Sequence, residues 1–315
     1  MVHYNDSASA QFLKQWNDSK NYIEVNTSGS TGSPKKIQLQ KRDLIISAEQ
    51  TCHYFNLNSN SIMVCPLSAD YIAGKMMIVR ALISGAELFI ENPSNQPAIT
   101  KYPDIDLIPI VPSQLQGLID SSKHNNFKNI IIGGAPLNTM QERLIVDNKL
   151  NAYATYGMTE TCSHVALRNI TITPSLYNAL PGFTFEVDSR SCLIINSDKM
   201  SFKHLVTNDV VEIKNNTQFE WKGRFDNVVI SGGLKAYPEQ IEAKLAPLIG
   251  RNFYLKKYSD EKWGERIALI IEGVEFNTTS LSKKLANILK PHERPGMIVF
   301  KSAFDYTPSG KVKRL

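Results

Sequence analysis

The residues best suited to chemistry are concentrated in TSGSTGSPKK, from Thr27 to Lys36, directly after the extended-looking segment NYIEV. The stretch contains five hydroxyl residues, two glycines, a proline and two lysines, and it has no apolar side chain. Open backbone N–H groups, hydroxyl donors and lysine charges together suit a polyphosphate. It is not a Walker A loop, because Gly32 is followed by Ser33 and Pro34 rather than by lysine. Taken alone, the pattern is also typical of a flexible surface turn.

Further segments with candidate functional residues follow at wide intervals. In chain order they are GGAPL (133–137), YGMTET (156–161), TND (207–209), GRFDNVVISGG (223–233) and PSGKVKR (308–314). Read singly, each has an ordinary structural explanation: Glu160 could be a surface charge, Tyr156 a core residue, Asp209 a turn residue and Lys311 part of a frayed tail. The decision therefore depends on the whole set.

The elements around these segments alternate between strand and helix. SIMVCP reads as a buried strand, AGKMMIVRALISG as a helix that ends at Gly85, and AELFIE as the next strand. The same alternation continues through NIIIGG, APLNTMQERLIVDN and AYATYG. It predicts an α/β fold with a largely parallel sheet.

The pattern changes beyond about Thr171. The short segments FTFEV, CLIIN, HLVT, VVEIK and TQFEW, separated by polar turns, predict a β-rich subdomain. After GRFDN the chain reads as a small α+β unit joined by a hinge, and we place the boundary at Arg224–Asn227. The expected domains are therefore a larger one, 1–225, and a smaller C-terminal one, 226–315.

Composition and charge exclude several classes of protein. The hydrophobic fraction of 42% indicates a globular chain, and no apolar run approaches the ~20 residues that span a bilayer. Residues 226–315 hold fifteen Lys and Arg against ten Asp and Glu, so the net charge of +5 lies there. Basic runs interleaved with aromatics are absent, which disfavours nucleic acid. We expect a cytoplasmic protein with four reduced, buried cysteines: Cys52, Cys65, Cys162 and Cys192.

Taken together and in this order, the six segments resemble the acyl-adenylate-forming ligases. That superfamily includes acyl- and aryl-CoA synthetases, luciferase and the adenylation domains of peptide synthetases. The resemblance covers nearly the whole chain and implies two half-reactions. A carboxylate attacks the α-phosphate of ATP, with Mg²⁺ present, to give an acyl-AMP and pyrophosphate; a thiol, here coenzyme A as co-substrate, then displaces AMP.

The resemblance also implies a nucleotide site. The β- and γ-phosphates would be held by the first loop, adenine would approach the backbone of the GGAPL segment and stack on a tyrosine, and ribose would bind an aspartate and an arginine. The residues that match these roles are Thr27, Ser28, Gly29, Ser30, Thr31, Gly32 and Lys35; Gly133, Gly134, Ala135 and Pro136; Tyr156 and Gly157; and Asp209 and Arg224.

Catalytic and mobile residues are implied in the same way. Thr159 would bind the α-phosphate or acyl oxygen, Glu160 would coordinate Mg²⁺, and Lys311 would be the catalytic lysine of adenylation. Asp226 would be the hinge about which the small domain turns between half-reactions. The residues expected to line the coenzyme A channel are Ser231, Gly232 and Gly233.

Two segments, YGMTETCSH and YIAGKMMIVRAL, are most similar to the o-succinylbenzoate–CoA ligase family of menaquinone biosynthesis, in a short form. A dicarboxylate needs a cationic or donor-rich contact for its spectator carboxylate. Candidates are Lys75 and Arg80 on the helix after PLSAD, with Ser163 and His164 after the TET motif. Alternatively, the two cations are surface charges on an amphipathic helix and His164 is a structural histidine.

The sequence departs from the superfamily pattern at several points. Members usually carry a longer segment before the phosphate loop, so the first domain is expected to be truncated. TGD reads TND, PLxxH reads PLSAD without the histidine, and Asp305 replaces a proline before the lysine motif. These departures leave room for another acyl- or aryl-CoA ligase or a stand-alone adenylating enzyme.

A non-catalytic nucleotide-binding module is the alternative from a different class. A module without turnover would be free to lose its catalytic side chains. Against that alternative stand five intact residues: Lys35, Glu160, Asp209, Arg224 and Lys311.

Overall fold

The structure is a computed structural model, and it describes residues 1–26, 35–102, 104–121, 126–305 and 312–314. Within these residues the chain forms seven α-helices and twenty-one strands. Every described helix is too short or too polar to cross a membrane. The four cysteines are buried and not joined by disulfides.

The first half of the chain alternates strands and helices, as the sequence predicts. α3 ends where Gly85 adopts a left-handed conformation with φ +74° and donates its N–H to the carbonyl of Ala81 at 2.9 Å, the usual glycine termination of a helix. The elements are β1 (Val2–His3), α1 (Ser7–Trp16), β2 (Tyr22–Asn26), β3 (Lys36–Gln40), α2 (Lys41–Tyr54), β4 (Ile62–Cys65), α3 (Ile72–Ser84), β5 (Glu87–Ile90), β6 (Asp104–Ile105), β7 (Ile108–Ile110), α4 (Leu115–Ser121), β8 (Asn126–Phe127), β9 (Ile130–Ile132), α5 (Thr139–Asp147) and β10 (Ala152–Gly157).

The middle of the chain is built from strands. They are β11 (His164–Asn169), β12 (Tyr177–Ala179), β13 (Phe183–Val187), β14 (Cys192–Ser197), β15 (His204–Asn215) and β16 (Gln218–Arg224). The sequence predicts two strands, HLVT and VVEIK, divided by a turn at TND, and this is wrong. β15 runs through TND without a break because it pairs with both β14 and β16, and a register shift between Val210 and Val211 absorbs the irregularity.

The largest sheet has nine strands in the order β13-β14-β15-β16-β12-β11-β10-β9-β7. Only β7, β9 and β10 run parallel; all the other neighbouring pairs are antiparallel. The β-rich region is therefore hydrogen-bonded directly to the parallel strands through β10 and β11. A separate three-stranded parallel sheet has the order β1-β5-β4.

The C-terminal part has its own sheet and core. Its elements are β17 (Val229–Ser231), β18 (Leu234–Ala236), α6 (Pro238–Leu245), β19 (Phe253–Asp260), β20 (Gly264–Glu272), α7 (Thr279–Ile288) and β21 (Met297–Lys301). A hydrophobic cluster drawn from these elements and the turns that follow the helices, from Val229 to Leu289, is distinct from those of the preceding residues. The division at residues 225 and 226 as a domain boundary stays a prediction.

α3 is an internal helix. Eight consecutive residues, from Gly74 to Ala81, are buried, so the middle of the helix is covered on every side rather than amphipathic. Four of them, Met76 to Val79, are fully buried apolar residues, each worth about 1.5–3 kcal/mol in transfer free energy. The same helix carries Lys75 and Arg80 into the interior.

Candidate active site

The first predicted phosphate-binding residues, Thr27 to Gly32, and the predicted catalytic Lys311 lie outside the described residues. Their roles stay predictions. The strands on either side of the first loop are described: β2 and β3 form an antiparallel pair in which Asn26 faces Lys36. Lys35, the last residue predicted to contact phosphate, is exposed immediately before β3.

The GGAPL and YGMTET segments lie side by side. They follow β9 and β10, two parallel strands in register with Ile132 opposite Ala154. Gly133 donates its N–H to the carbonyl of Ile110 at 3.1 Å, while residues 134–136 and Gly157 are exposed. Ligands of α/β proteins commonly bind outside the carboxyl ends of parallel strands. Nucleotide binding at this edge of the sheet stays a prediction.

A strained turn follows the TET motif. Thr159–Thr161 form one turn of 3₁₀-helix, with Glu160 exposed and Thr161 fully buried. Cys162 then adopts φ +63° and donates its N–H to Thr159 at 2.9 Å. A non-glycine residue in such a conformation costs about 1–3 kcal/mol and persists only where the surroundings hold it. The turn presents the Glu160 carboxylate to solvent and directs the chain back into the core at Ser163.

Asp209, the predicted ribose ligand, is a buried carboxylate in the middle of β15, with 7% of its surface exposed. Oδ2 accepts a hydrogen bond from the Tyr156 hydroxyl at 2.9 Å, and Oδ1 accepts one from the Trp221 indole N–H at 3.2 Å. Arg224 lies opposite Asp209 in the β15–β16 register, with Nη1 3.9 Å from Oδ1. The structure thus brings three of the predicted nucleotide-binding residues together.

The Tyr156 ring lies in the core, edge-on to Tyr177 and Phe219 with centroids 5.7 and 5.0 Å away. Burial, and then the Asp209 carboxylate, raise the pKa of Tyr156 well above its usual value. The hydroxyl therefore stays protonated and can donate to Asp209. Adenine stacking by this ring stays a prediction.

The predicted hinge and channel residues lie within one short segment of the chain, from Asp226 to Gly233. Asp226 is exposed, and its carboxylate lies 3.5 Å from Arg224 Nη2. Ser231 is buried, and Gly232 and Gly233 form the two-residue turn between β17 and β18 with φ +58° and +80°. Both angles are positive, as in the type I′ turns that glycine favours in hairpins.

Arg80, Ser163 and His164 form a buried polar cluster. Arg80 is 2% exposed; its Nη2 donates to Ser163 Oγ at 2.6 Å, its Nη1 contacts Met77 Sδ at 3.4 Å, and its Nε has no partner. Among the described residues, no carboxylate lies within ion-pair distance of this guanidinium. Burial lowers the pKa of Arg80 to about 10, so the group is still charged at neutral pH.

His164 completes this cluster. Its Nε2 lies 3.1 Å from Thr51 Oγ1 and its Nδ1 lies 3.3 Å from Ser163 Oγ. Burial, and then the charge of Arg80, lower the pKa of His164 well below its usual value. The imidazole is therefore neutral at pH 7.

Lys75 is buried in a different setting. Its ammonium donates to the carbonyls of Ala69 and Asp70, the second at 3.1 Å, and lies 5.6 Å from the centre of the Phe12 ring. Burial lowers its pKa. The alternative that Lys75 and Arg80 are surface charges is wrong for both. Of the two, only Arg80 contacts residues of the YGMTETCSH segment in the described structure.

Sequence reasoning missed Trp221 and Thr51. The register between β15 and β16 shifts by one residue next to Trp221, with Lys222 as the extra residue of β16, and no sequence pattern reveals that shift. Thr51 lies 113 residues before His164, and a threonine within a helix carries no distinguishing signal. Within the described residues, no group of three or more His, Cys, Asp or Glu side chains could hold a metal ion.

The profile of the family described as AMP-binding enzyme matches residues 16–188, more than half of the chain. The chain belongs to the AMP-binding enzyme family.

Individual relatives carry names more specific than that of the family. The chain is similar to the 2-succinylbenzoate–CoA ligase of Enterococcus faecalis, with 23% identity over 100% of this chain and 73% of the relative. The corresponding ligase of Staphylococcus epidermidis is 24% identical over 91% of this chain and 67% of its own length.

Solved structures agree at the level of the fold. An acyl-CoA synthetase (AMP-forming)/AMP-acid ligase II-like protein from Dyadobacter fermentans has 33% identity and a TM-score of 0.64, covering 98% of this chain and 92% of its own. The o-succinylbenzoate coenzyme A synthetase of Bacillus subtilis in complex with ATP and magnesium ion has 17% identity and a TM-score of 0.81. That match covers 92% of this chain and 68% of the other.

Proposed function

We propose that this protein is an ATP-dependent acid–CoA ligase of the cytoplasm, and that its acid is o-succinylbenzoate. In the first step one carboxylate oxygen bonds to the α-phosphorus of ATP and pyrophosphate leaves, which gives an acyl-AMP. In the second step the sulfur of coenzyme A loses its proton to solvent and bonds to the acyl carbon, and AMP leaves. Both steps depend mainly on positioning and charge stabilisation.

The nucleotide would lie at the carboxyl ends of β9 and β10. The backbone of residues 133–136 would face adenine, and Asp209 with Arg224 would hold ribose. Glu160 would supply one carboxylate oxygen to the Mg²⁺ that accompanies ATP, since this hard ion commonly combines one or two carboxylates with phosphate oxygens and water. The exposed position of Glu160 suits such a shared ion better than a metal enclosed by protein.

The buried Arg80 carries the substrate proposal. An unpaired charge in the interior is costly, and the Nε of Arg80 lacks a partner. A carboxylate from the substrate would neutralise that charge and accept from Arg80 and Ser163 together. The neutral imidazole of His164 adds a polar contact without a competing charge.

The acid must therefore carry a second carboxylate besides the one that is activated. o-Succinylbenzoate has this property, since its succinyl carboxylate would react and its ring carboxylate would remain free to bind Arg80. The relatives named as 2-succinylbenzoate–CoA ligases support the same substrate. Coenzyme A would enter past Ser231, Gly232 and Gly233.

The test is pyrophosphate release from Mg-ATP with a panel of acids, each with and without coenzyme A. We expect o-succinylbenzoate plus coenzyme A to give the fastest turnover and to yield AMP and a thioester. Release of ADP and phosphate would overturn the adenylation chemistry. Faster turnover of a fatty acid or a simple benzoate would overturn the substrate assignment alone.

A further inference from the structure

Asp209 is held by donors from two different strands. Tyr156, at the end of β10, donates to Oδ2, and Trp221, in β16, donates to Oδ1. Each carboxylate oxygen has two lone pairs, so one acceptor position on each oxygen is already used. The two bonds fix the rotation of the carboxylate group and therefore the directions of the two positions that remain.

The donors are themselves held rigidly. The Tyr156 ring packs against Phe219, which stacks on Tyr177 with centroids 5.3 Å apart and meets Phe185 edge-on at 4.9 Å. Trp221 is half-buried within β16, two residues after Phe219. The only cation within 4 Å of the carboxylate among the described residues, Arg224, is 3.9 Å away. The orientation of the Asp209 carboxylate is therefore set by the neutral donors Tyr156 and Trp221.

We propose that Trp221 and Tyr156 are positioning residues that orient Asp209 toward the two hydroxyl groups of the nucleotide ribose. This inference rests on the proposed function. A vicinal diol requires two acceptors that point the same way, and a carboxylate free to rotate would offer them only part of the time. Tyr156 thus acts through its hydroxyl, whatever its ring does toward adenine.

Trp221→Phe keeps an aromatic ring and removes the N–H, and Tyr156→Phe keeps the ring and removes the hydroxyl. Binding of AMP, 2′-deoxy-AMP and 3′-deoxy-AMP to the full chain, without acid or coenzyme A, is measured by calorimetry. We expect each variant to bind AMP about tenfold more weakly, the smaller effect typical of losing a hydrogen bond to a charged group. Discrimination against the deoxy nucleotides should fall by a similar factor.

The ratio of AMP to deoxy-AMP affinity is the decisive quantity, because a partly unfolded sample lowers the binding of both nucleotides equally. In an Asp209→Ala background, Trp221→Phe should have no further effect on this ratio. Trp16→Phe, where the indole packs against Phe12 in α1, is the matched control and should leave the ratio unchanged.

An unchanged ratio in Trp221→Phe and Tyr156→Phe, with normal binding by the wild type, would overturn the inference and leave the proposed function standing. Failure of the wild type to bind AMP would overturn both.

Discussion

Arg80 is the buried side chain on which the substrate proposal depends. The Arg80 guanidinium is buried. It donates one strong hydrogen bond to Ser163, and its Nε has no partner. Removing such an uncompensated charge in favour of an apolar side chain of similar size is often neutral or stabilising. The arginine is therefore explained better by ligand binding than by stability.

This leads to a prediction for Arg80→Met. With o-succinylbenzoate, kcat/KM should fall by about 10- to 100-fold, the effect of losing a hydrogen-bonded charge partner. With 4-oxo-4-phenylbutanoate, which lacks the ring carboxylate, kcat/KM should barely change, and the melting temperature should be equal or higher. Arg251→Met, where the guanidinium donates to the carbonyl of Val274 at the surface, is the control. An equal loss with both acids would contradict the carboxylate role.

His164 gives a prediction about pH. Its pKa is depressed in the folded state, so below about pH 6.5, the value for a free imidazole, the unfolded chain binds more protons than the folded one. The free energy of unfolding should therefore decrease as pH falls through this range. His164→Gln removes the titrating group, and its stability should depend less on pH between 7 and 5. Denaturant unfolding of both proteins at several pH values measures the difference; parallel curves would show that His164 is not the group responsible.

At the scale of single residues, the sequence predicts which residues are candidates for the site more readily than it predicts the contacts of their side chains. Two short segments of the sequence predict Arg80, Ser163 and His164 as candidates, and the structure brings these three into one cluster. The sequence does not reveal that Lys75, five residues before Arg80 on the same helix, donates instead to the carbonyls of Ala69 and Asp70. The direction of a long side chain depends on packing by α1, which is distant in sequence.

Among the elements, the hairpin of β17 and β18 is the one whose turn is expected to line a channel. A Cβ atom on Gly232 would lie 2.8 Å from the Trp263 ring, whereas one on Gly233 would meet nothing within 4 Å. Gly233 is therefore the position at which a side chain can be added without a collision, although its φ of +80° makes the change cost about 1–2 kcal/mol.

Gly233→Val is predicted to separate the half-reactions. The added side chain should obstruct coenzyme A, so that thioester formation from supplied acyl-AMP slows on the order of 10²-fold, as misplacement of reacting groups does. Adenylation, followed as pyrophosphate release without coenzyme A, should be retained. Gly250→Val, also in open space but without a positive φ, should affect neither step. Equal slowing of both steps by Gly233→Val would argue against a channel here.

Most elements were predictable from local patterns, because apolar runs, helix-ending glycines and polar turns act over a few residues. The Gly85 terminus and the strands around GGAPL and YGMTET are examples. The continuity of β15 through TND was not predictable, since it depends on hydrogen bonds to β14 and β16 rather than on the turn preference of Asn208. This continuity matters for the site, because it places Asp209 in the interior rather than in an exposed turn.

At the scale of the whole molecule, the C-terminal core from Val229 to Leu289 meets the preceding residues at specific contacts. Thr139 Oγ1 donates to the carbonyl of Ala243 at 2.9 Å, and Glu239 lies over Gly223 while it accepts from Asn227. A small apolar cluster that joins Cys192 and Val210 to Val228 adds to these polar contacts. A limited interface of this mixed kind is compatible with movement between two arrangements. Rotation about Asp226 stays a prediction.

Lys311→Ala tests the movement through chemistry. If this lysine stabilises charge at the α-phosphate only during adenylation, acyl-AMP formation should fall by about 10²- to 10³-fold. Conversion of supplied acyl-AMP and coenzyme A to thioester should remain near normal. Lys313→Ala is the matched control, since the described contact of Lys313 is a bond from its backbone N–H to Asp305. A loss shared by both half-reactions would make the lysine structural.

The pairing of β11 with β12 has a consequence for how the chain could be divided. β12 lies between β11 and β16 in the sheet, so a cut after Thr171 would leave each fragment with an unpaired strand edge. Exposed edges of this kind promote aggregation of the separate fragments. Co-expressed fragments should instead reassemble through that edge, and a split at this point would make nucleotide binding report on fragment association.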